Sequence, residues 1–516
     1  MRKLSLILMA GLFSMALLIY GTEHTLAADK APTPKYGGVL RMILNQGPGN
    51  FGYPPTMDGN SAQTVSSHCV EPFLQTDPTG QFIPTGLVTA YKLSPDGRTY
   101  TFTLRKGVKF HDGTDYNAHA AKWNMDKNRE ARIYGTQYWQ STEAVDDYTV
   151  QLTLKQPDYT VIFSLSSAAC LLISPTAYKN NGEQWAQFHP VGTGPFKLKS
   201  FNRDVSLVYE KFDGYWNKGR PYLDGVAFSF VKDPMVSGTA LQRGEVDVYW
   251  RVEGDQASEL KSKGFAIVAP MNNRGIWLLP DSKNAESALA KKKVREALEY
   301  ASNRNVIAKA VGYGLMSGIN QIGDPSYPSG YIPNLKGREY NLARAKQLLA
   351  EAGYPNGLKT RIIAQTEVAP RDALIALQSQ WKEVGVDVAL DFVTRAKFVE
   401  DRTKGWRDGF ILVQTGLNQT WTSTLDRIFS ADGKTYLSCQ RPPNWGELLS
   451  SANRALDYKT YQERTQKCVS TLYEEATAIP LWGECKPFVI APYVKDTGFL
   501  TKTLQYWSAS EAWLDK

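Results

Sequence analysis

Between Asn341 and Phe392 the hydrophobic period changes from that of a helix to that of a strand, and this change constrains the fold most. Asn341 can cap a helix whose apolar face runs Leu342, Ala345, Leu348, Leu349 and Ala352, and Gly353 supplies the left-handed stop. A second helix, Arg371 to Glu383, ends near Gly385, after which Val386, Val388, Leu390 and Phe392 alternate as a strand. A helix followed directly by such a strand predicts an α/β lobe. The chain has 516 residues, more than one core usually organises, so two or more lobes are expected.

Strands and helices also mix in the first half. Val39 to Leu44 reads as a buried first strand. Tyr100, Phe102 and Leu104 alternate with threonines, and Val150, Leu152 and Leu154 repeat the pattern after the Asp146-Asp147 turn. Asp96-Gly97 is a hairpin turn feeding the strand at Tyr100, because glycine accepts the positive φ such turns demand. Asn117 to Lys127 carries no breaker and predicts a short helix. No internal repeat of solenoid length and no low-complexity tract occurs.

Arg2 and Lys3 precede an apolar run from Leu4 to Tyr20, and small residues, Ala27 and Ala28, follow it. This three-part layout predicts a cleavable signal peptide over residues 1–28. The run is slightly short of the ~20 apolar residues that span a bilayer. No cysteine lies between Leu4 and Lys35, so a lipoprotein anchor is not expected, and a soluble periplasmic protein is. Five cysteines, Cys69, Cys170, Cys439, Cys468 and Cys485, sit far apart. In an oxidising compartment one or two disulfides are plausible, and at least one thiol stays unpaired.

The net charge of +8 comes from 59 basic and 51 acidic residues that are scattered apart from Lys291, Lys292 and Lys293, so no nucleic-acid partner is expected. Gly433-Lys434-Thr435 ends like a phosphate loop, but Ile428 stands where that motif needs glycine. No Gly-x-Ser-x-Gly elbow or His-Glu-x-x-His helix is present. His111-Asp112 could be a base with its orienting carboxylate, yet no nucleophile accompanies it. The chain is therefore expected not to be an enzyme and to need no metal or cofactor.

The stretch LSPDGRTYTFTLRKGVKFHDGTDYNAHAAKWNMDKN, Leu93 to Asn128, resembles the segment that marks family 5 of the bacterial extracytoplasmic solute-binding proteins. HPVGTGPF (His189 to Phe196), Tyr215-Trp216, Gly219 to Asp224, GEVDV (Gly244 to Val248), VREALEYASNR (Val294 to Arg304) and Tyr340 to Tyr354 follow in the family's order. The resemblance covers nearly all of the chain beyond residue 28. It implies a two-lobe periplasmic binding protein of α/β class, of the type II large cluster with an extra subdomain, whose hinge the chain crosses twice. Lobe one is expected over 29–273 plus 484–516, with an inserted subdomain at about 69–188, and lobe two over 274–483. Such a clamp closes on a small-molecule or peptide-like ligand and presents the closed form to an ABC permease and ATPase complex in the inner membrane. A monomer is expected. On the same fold a sensor or a folding helper is the alternative, and an exported hydrolase acting on peptides or glycans fits size and compartment only.

The resemblance also suggests cleft residues. Met57, Asp58, Gly59 and Asn60 lie between the first strand and the next helix, a segment that faces the cleft in family members. Trp139, Trp250 and Trp421 suit either core or cleft. In the dipeptide-binding branch an aspartate pairs with the ligand's ammonium and an arginine upstream with its carboxylate; counting from Val384-Gly385-Val386, these positions hold Leu417 and Ala364. Both charges are absent, and an ammonium buried without a partner is costly. Thr415, Leu417, Asn418 and Trp421, with Gln365 and Thr366 opposite, would instead line a cleft for a neutral or weakly charged glycan fragment or aromatic compound.

Overall fold

The computed structural model describes residues 33–57, 59–167, 170–269, 274–498 and 507–516. The expected signal peptide at 1–28 and the candidate Asp58 lie outside the described residues. Residues from Lys35 onward form one compact unit.

Two large sheets organise that unit. The first has seven strands in the order Ala266–Val268, Phe488–Ile490, Val248–Tyr249, Val39–Leu44, Gly225–Phe230, Ser206–Lys211, Phe196–Asn202. Its centre is parallel, with Val39–Leu44 paired to Gly225–Phe230 on one side and to Val248–Tyr249 on the other. The second has six strands in the order Met316–Gly318, Ile479–Glu484, Arg274–Pro280, Gly409–Gly416, Leu358–Gln365, Val386–Val393. All strands of the six-stranded sheet fall between Arg274 and Glu484, and the seven-stranded sheet resumes at Phe488. The chain therefore passes from one sheet to the other between Val268 and Arg274, and returns between Glu484 and Phe488.

Alternating side chains explain why these strands sit where they do. Along Arg274–Pro280, Ile276 and Leu278 enter one apolar core while Trp277 and Leu279 enter another, so the strand is buried on both faces. The helix that begins after Asn341 spans Leu342–Glu351, and the Asn341 side chain accepts from the Arg344 N–H at 3.0 Å. Ala345, Leu348 and Leu349 are buried against the six-stranded sheet's core, and Arg371–Lys382 covers the adjoining strand Val386–Val393. Asn117 caps the helix Ala118–Glu130 in the same way, one turn longer than the sequence pattern indicates.

A four-stranded antiparallel sheet, in the order Val88–Leu93, Thr99–Leu104, Thr149–Leu154, Trp139–Asp146, is inserted between the first strand and the rest of the seven-stranded sheet. Its core takes in Tyr100, Phe102, Leu152 and Trp139, and also Ala455 and Tyr461 from the chain of the six-stranded half.

The motifs that carry the family resemblance prove to be joints. Glu71, 2% exposed, accepts from Thr193 Oγ1 (2.8 Å), Tyr215 Oη (3.0 Å) and Trp216 Nε1 (2.9 Å), and so draws two distant motifs together. Glycine is required at 194 because a Cβ there would lie 2.7 Å from the Cys69 carbonyl. His111 Nε2 contacts the Gly194 carbonyl oxygen at 2.9 Å, and burial lowers its pKa to about 4, so it serves as a neutral hydrogen-bonding strut. Asp112 instead accepts from Thr114 and Ser174, and the base-and-carboxylate pair does not form. In GEVDV, Asp247 is fully buried; burial alone would raise its carboxyl, but Arg41 and Tyr493 bond to it and hold it below the usual range.

The cysteines correct an expectation. No disulfide joins any of the five, and all are buried, Cys69 and Cys170 in separate cores and Cys439 and Cys468 together in a third.

Candidate functional site

In open α/β sheets ligands bind beyond the carboxyl ends of parallel strands. Here that edge lies where the chain crosses between the two sheets. A cavity of about 330 Å³ opens there, at the small end of the range for small-molecule sites. One wall is Leu44, Asn45 and Gln46, which follow the central strand Val39–Leu44, with Ser61 and Thr64 on the next helix, Gly59–Ser66. Another is Trp250, Arg251 and Glu253, which follow the parallel strand Val248–Tyr249. Arg274 and Lys486, one at each crossing, complete it.

The backbone places the key side chains. Trp250 N–H donates to the Ile43 carbonyl at 3.1 Å and Val252 N–H to the Pro487 carbonyl at 2.9 Å, which fixes Arg251 between them. Arg251 is held at φ 55°, a left-handed conformation that non-glycine residues seldom adopt and that concentrates at binding sites. The Trp250 ring packs edge-on against Phe488, centroids 4.4 Å apart, and stays half-buried.

The charges are unequal. Arg274 pairs with Glu484 at 3.3 Å, both 19% exposed, and Lys486 pairs with Glu253 and approaches Glu484 at 4.0 Å. Arg251 makes no hydrogen bond or ion pair among the described residues, which leaves three cations against two carboxylates. Its pKa is lowered, by burial first and then by Arg274, although solvent still reaches the residue and it remains charged. Such a corner favours an anionic group that brings its own acceptors.

The other expected site residues fall in different places. Met57 is half-buried and packs on the seven-stranded sheet's core, and Gly59 and Asn60 open the helix Gly59–Ser66. Trp139, 1% exposed, belongs to the core of the small sheet. Trp421 is fully buried beneath Gly330, where a Cβ would come within 2.1 Å of the indole, and Leu417 is buried in the same core. Ala364, 1% exposed, faces the opposite core. These side chains are therefore enclosed by protein rather than offered to a solute. Thr415 is buried and its hydroxyl is taken by Arg427. Gln365 is half-buried, and exposed Thr366 donates to the Val393 carbonyl at 3.0 Å. Asn418 lines a second, polar cavity of about 190 Å³ against the small sheet, at Tyr134, Thr160 and Ser164. Of the expected residues that the structure describes, Trp250 alone lines the cavity at the crossings.

Arg251, Arg274 and Lys486 were not singled out by sequence reasoning. The signal for Arg251 was present, since it directly follows a strand, but its use required knowing that this strand is parallel to Val39–Leu44. Among the described residues no group of three or more His, Cys, Asp or Glu is placed to hold a metal ion, and no helix is long and apolar enough to cross a membrane.

Comparison with known proteins agrees with this architecture. Residues 83–435 match the family described as "Bacterial extracellular solute-binding proteins, family 5 Middle". The glutathione-binding protein GsiB of Salmonella typhimurium is 34% identical over 421 residues, covering 77% of this chain and 78% of that protein. GsiB of Shigella flexneri is 34% identical over 384 residues, 72% of either chain. Among solved structures, HbpA2 from Haemophilus parasuis superposes with a TM-score of 0.81 at 24% identity, covering 92% of this chain and all of that one. DppA from Helicobacter pylori in complex with the peptide STSA gives a TM-score of 0.70 at 23% identity over 93% and 99% of the two chains. With two α/β lobes joined by two crossings and a match to the family over most of its length, the chain belongs to the family 5 bacterial extracellular solute-binding proteins.

Proposed function

We propose that this protein is the periplasmic receptor of an ABC importer, a monomer that captures a small carboxylate-bearing, peptide-like solute at the corner formed by the two crossings and delivers it to a permease and ATPase in the inner membrane. The observation that carries the ligand class is Arg251, a charged guanidinium without a hydrogen-bond or ion-pair partner among the described residues, set in a left-handed backbone beside half-buried Trp250. Arg offers a planar fork that matches a carboxylate, and Trp250 supplies an apolar surface beside it. The relatives named for glutathione, a peptide with two carboxylates, support the same class. A neutral glycan or aromatic ligand loses its support, because the residues that suggested it, Leu417 and Trp421 above all, lie inside the protein.

Calorimetric titration of wild type and Arg251→Gln with glutathione, and with a mixed di- to pentapeptide library, tests this reading. A hydrogen bond to a charged group contributes about 1.5–3 kcal/mol, so the variant should bind about 10–100-fold more weakly. Equal affinity in the two proteins, or binding of neutral sugars in preference to carboxylates, would overturn it.

A further inference from the structure

Beyond the solute itself, one side chain ties the two halves of the clamp together. Gln419 lies on the segment that follows the strand Gly409–Gly416 of the six-stranded sheet. Its Nε2 donates to the Asp77 carbonyl at 2.9 Å and to the Pro78 carbonyl at 3.1 Å, and its Oε1 lies 3.3 Å from Thr76 Oγ1, which donates to it. Both amide hydrogens are thus spent on the other half of the molecule, 341 and 342 residues away in sequence.

Both sides of the contact are stiff. On the receiving side, Asp77 Oδ1 accepts from the Thr79 N–H (2.9 Å), the Thr79 hydroxyl (2.6 Å) and the Gln81 N–H (3.0 Å). These bonds lock the turn between the short strands Gln75–Thr76 and Phe82–Ile83, so the two carbonyls are presented in a fixed direction. On the giving side, Leu417 and Trp421 are buried in their own core, 8% and 0% exposed. Between these two inward anchors the Gln419 side chain projects toward the 76–78 turn, as its hydrogen bonds to Asp77, Pro78 and Thr76 show. The Gln419 carbonyl also accepts from the Trp421 N–H at 2.9 Å and the Ser329 hydroxyl at 3.3 Å. A second bridge, Tyr134 Oη to Ser423 Oγ at 2.5 Å, lies on the same segment.

Gln419 does not line the cavity at the crossings. We infer that Gln419 is a closure latch, a positioning residue whose hydrogen bonds to the 76–78 turn exist only when the two halves are together and which holds the closed form without touching the solute. The inference rests on the clamp reading above. A contact made only in the closed state adds to ligand affinity by as much as it favours that state. Because it acts after encounter, it slows release and leaves capture unchanged.

The experiment compares wild type, Gln419→Ala and Gln419→Glu. Alanine removes the bonds, and glutamate keeps the shape but sets a carboxylate against two carbonyl oxygens. Small-angle scattering of the ligand-free proteins reads closure directly, and stopped-flow mixing with glutathione reads its kinetics. Both variants should show a larger radius of gyration than wild type, with glutamate beyond alanine. The glutathione release rate should rise about tenfold, which is about 1.4 kcal/mol, while the association rate stays within about twofold. If ligand-free profiles and release rates of both variants match wild type, the latch is overturned. Should wild type fail to bind glutathione while the variants still open, the ligand class falls and the latch stands. A slower association rate with unchanged release would also overturn the latch, because it would place Gln419 in the capture step.

Discussion

The two ends of the line along which the halves meet are built from opposite materials. At the crossings the contact is charged and wet: Arg251, Arg274 and Lys486 face Glu253 and Glu484 around an open cavity. At the far end, where the small sheet meets the helix Tyr458–Glu474, the contact is aromatic and, around fully buried Tyr461, dry, with the polar cavity at Asn418 beside it. Tyr461, fully buried, lies 5.2 Å from the Tyr159 ring and 5.5 Å from the Phe163 ring, and Tyr159 N–H donates to the Asn453 carbonyl at 2.7 Å. Apolar surface attracts apolar surface without regard to the solute, whereas an unpaired arginine gains only when an anion arrives. The comparison teaches a division of labour: the far end supplies closing force and the near end supplies the condition for it.

The largest expected effect tests the dry end. Tyr461→Ala removes a fully buried ring that also bonds to the Thr422 N–H and hydroxyl, and should destabilise the protein by about 3–5 kcal/mol in urea unfolding. In scattering the ligand-free variant should also be more open, an effect Arg251→Gln should not share. A loss below about 1 kcal/mol would mean that the aromatic contact is incidental.

The next effect sharpens the comparison through pH. Asp158 sits beside Tyr159 at the dry end, and burial raises its pKa to about 6, although Thr160 bonds lower it in part. Its folded pKa exceeds the unfolded value of 3.8, so the folded state binds more protons in between, and stability falls as pH rises from about 4 through about 6. Asp158→Asn can keep the bonds from Thr160 without the charge. It should stabilise the protein by up to about 3 kcal/mol at pH 7.5 and by nothing below pH 4. A pH-independent difference in urea midpoints would break the assignment.

The smallest effect belongs to the wet end. Glu253 is exposed and its pair with Lys486 contributes at most about 1 kcal/mol to stability. Glu253→Gln should leave the unfolding midpoint nearly unchanged yet tighten binding of glutathione about two- to threefold at low salt, with the gain lost at 0.5 M salt as charges are screened. An equal gain at both salt concentrations would argue against an electrostatic corner.

How much of this could be read without a structure differs between backbone and site. The strand Val39–Leu44 and the helix after Asn341 are local facts, visible as an apolar run and as a cap with a face. The position of Trp421 is not local: its burial depends on Gly330, 91 residues earlier, leaving room for the indole. Arg251 is hidden for a third reason, since neither its backbone conformation nor its nearness to Arg274 and Lys486 has any signature in the residues around it. Scaffold motifs such as Gly192 to Phe196 dominate the pattern because they must satisfy close approaches of main chain, whereas the solute corner is assembled from one to three residues of each of five separate segments.

The scattered, unbridged cysteines carry a consequence for how the molecule comes into being. Once folded, each thiol is buried, and burial pushes the Cys468 thiol up to about 12, far from the reactive thiolate. No disulfide is needed to complete the fold, and burial withdraws the thiols from oxidants afterwards. Before folding, all five thiols are open to mispairing, so the yield of active protein is set by a race between collapse of the cores and oxidation. Reducing agent present during refolding should then decide the amount recovered, while the same agent added to finished protein changes nothing.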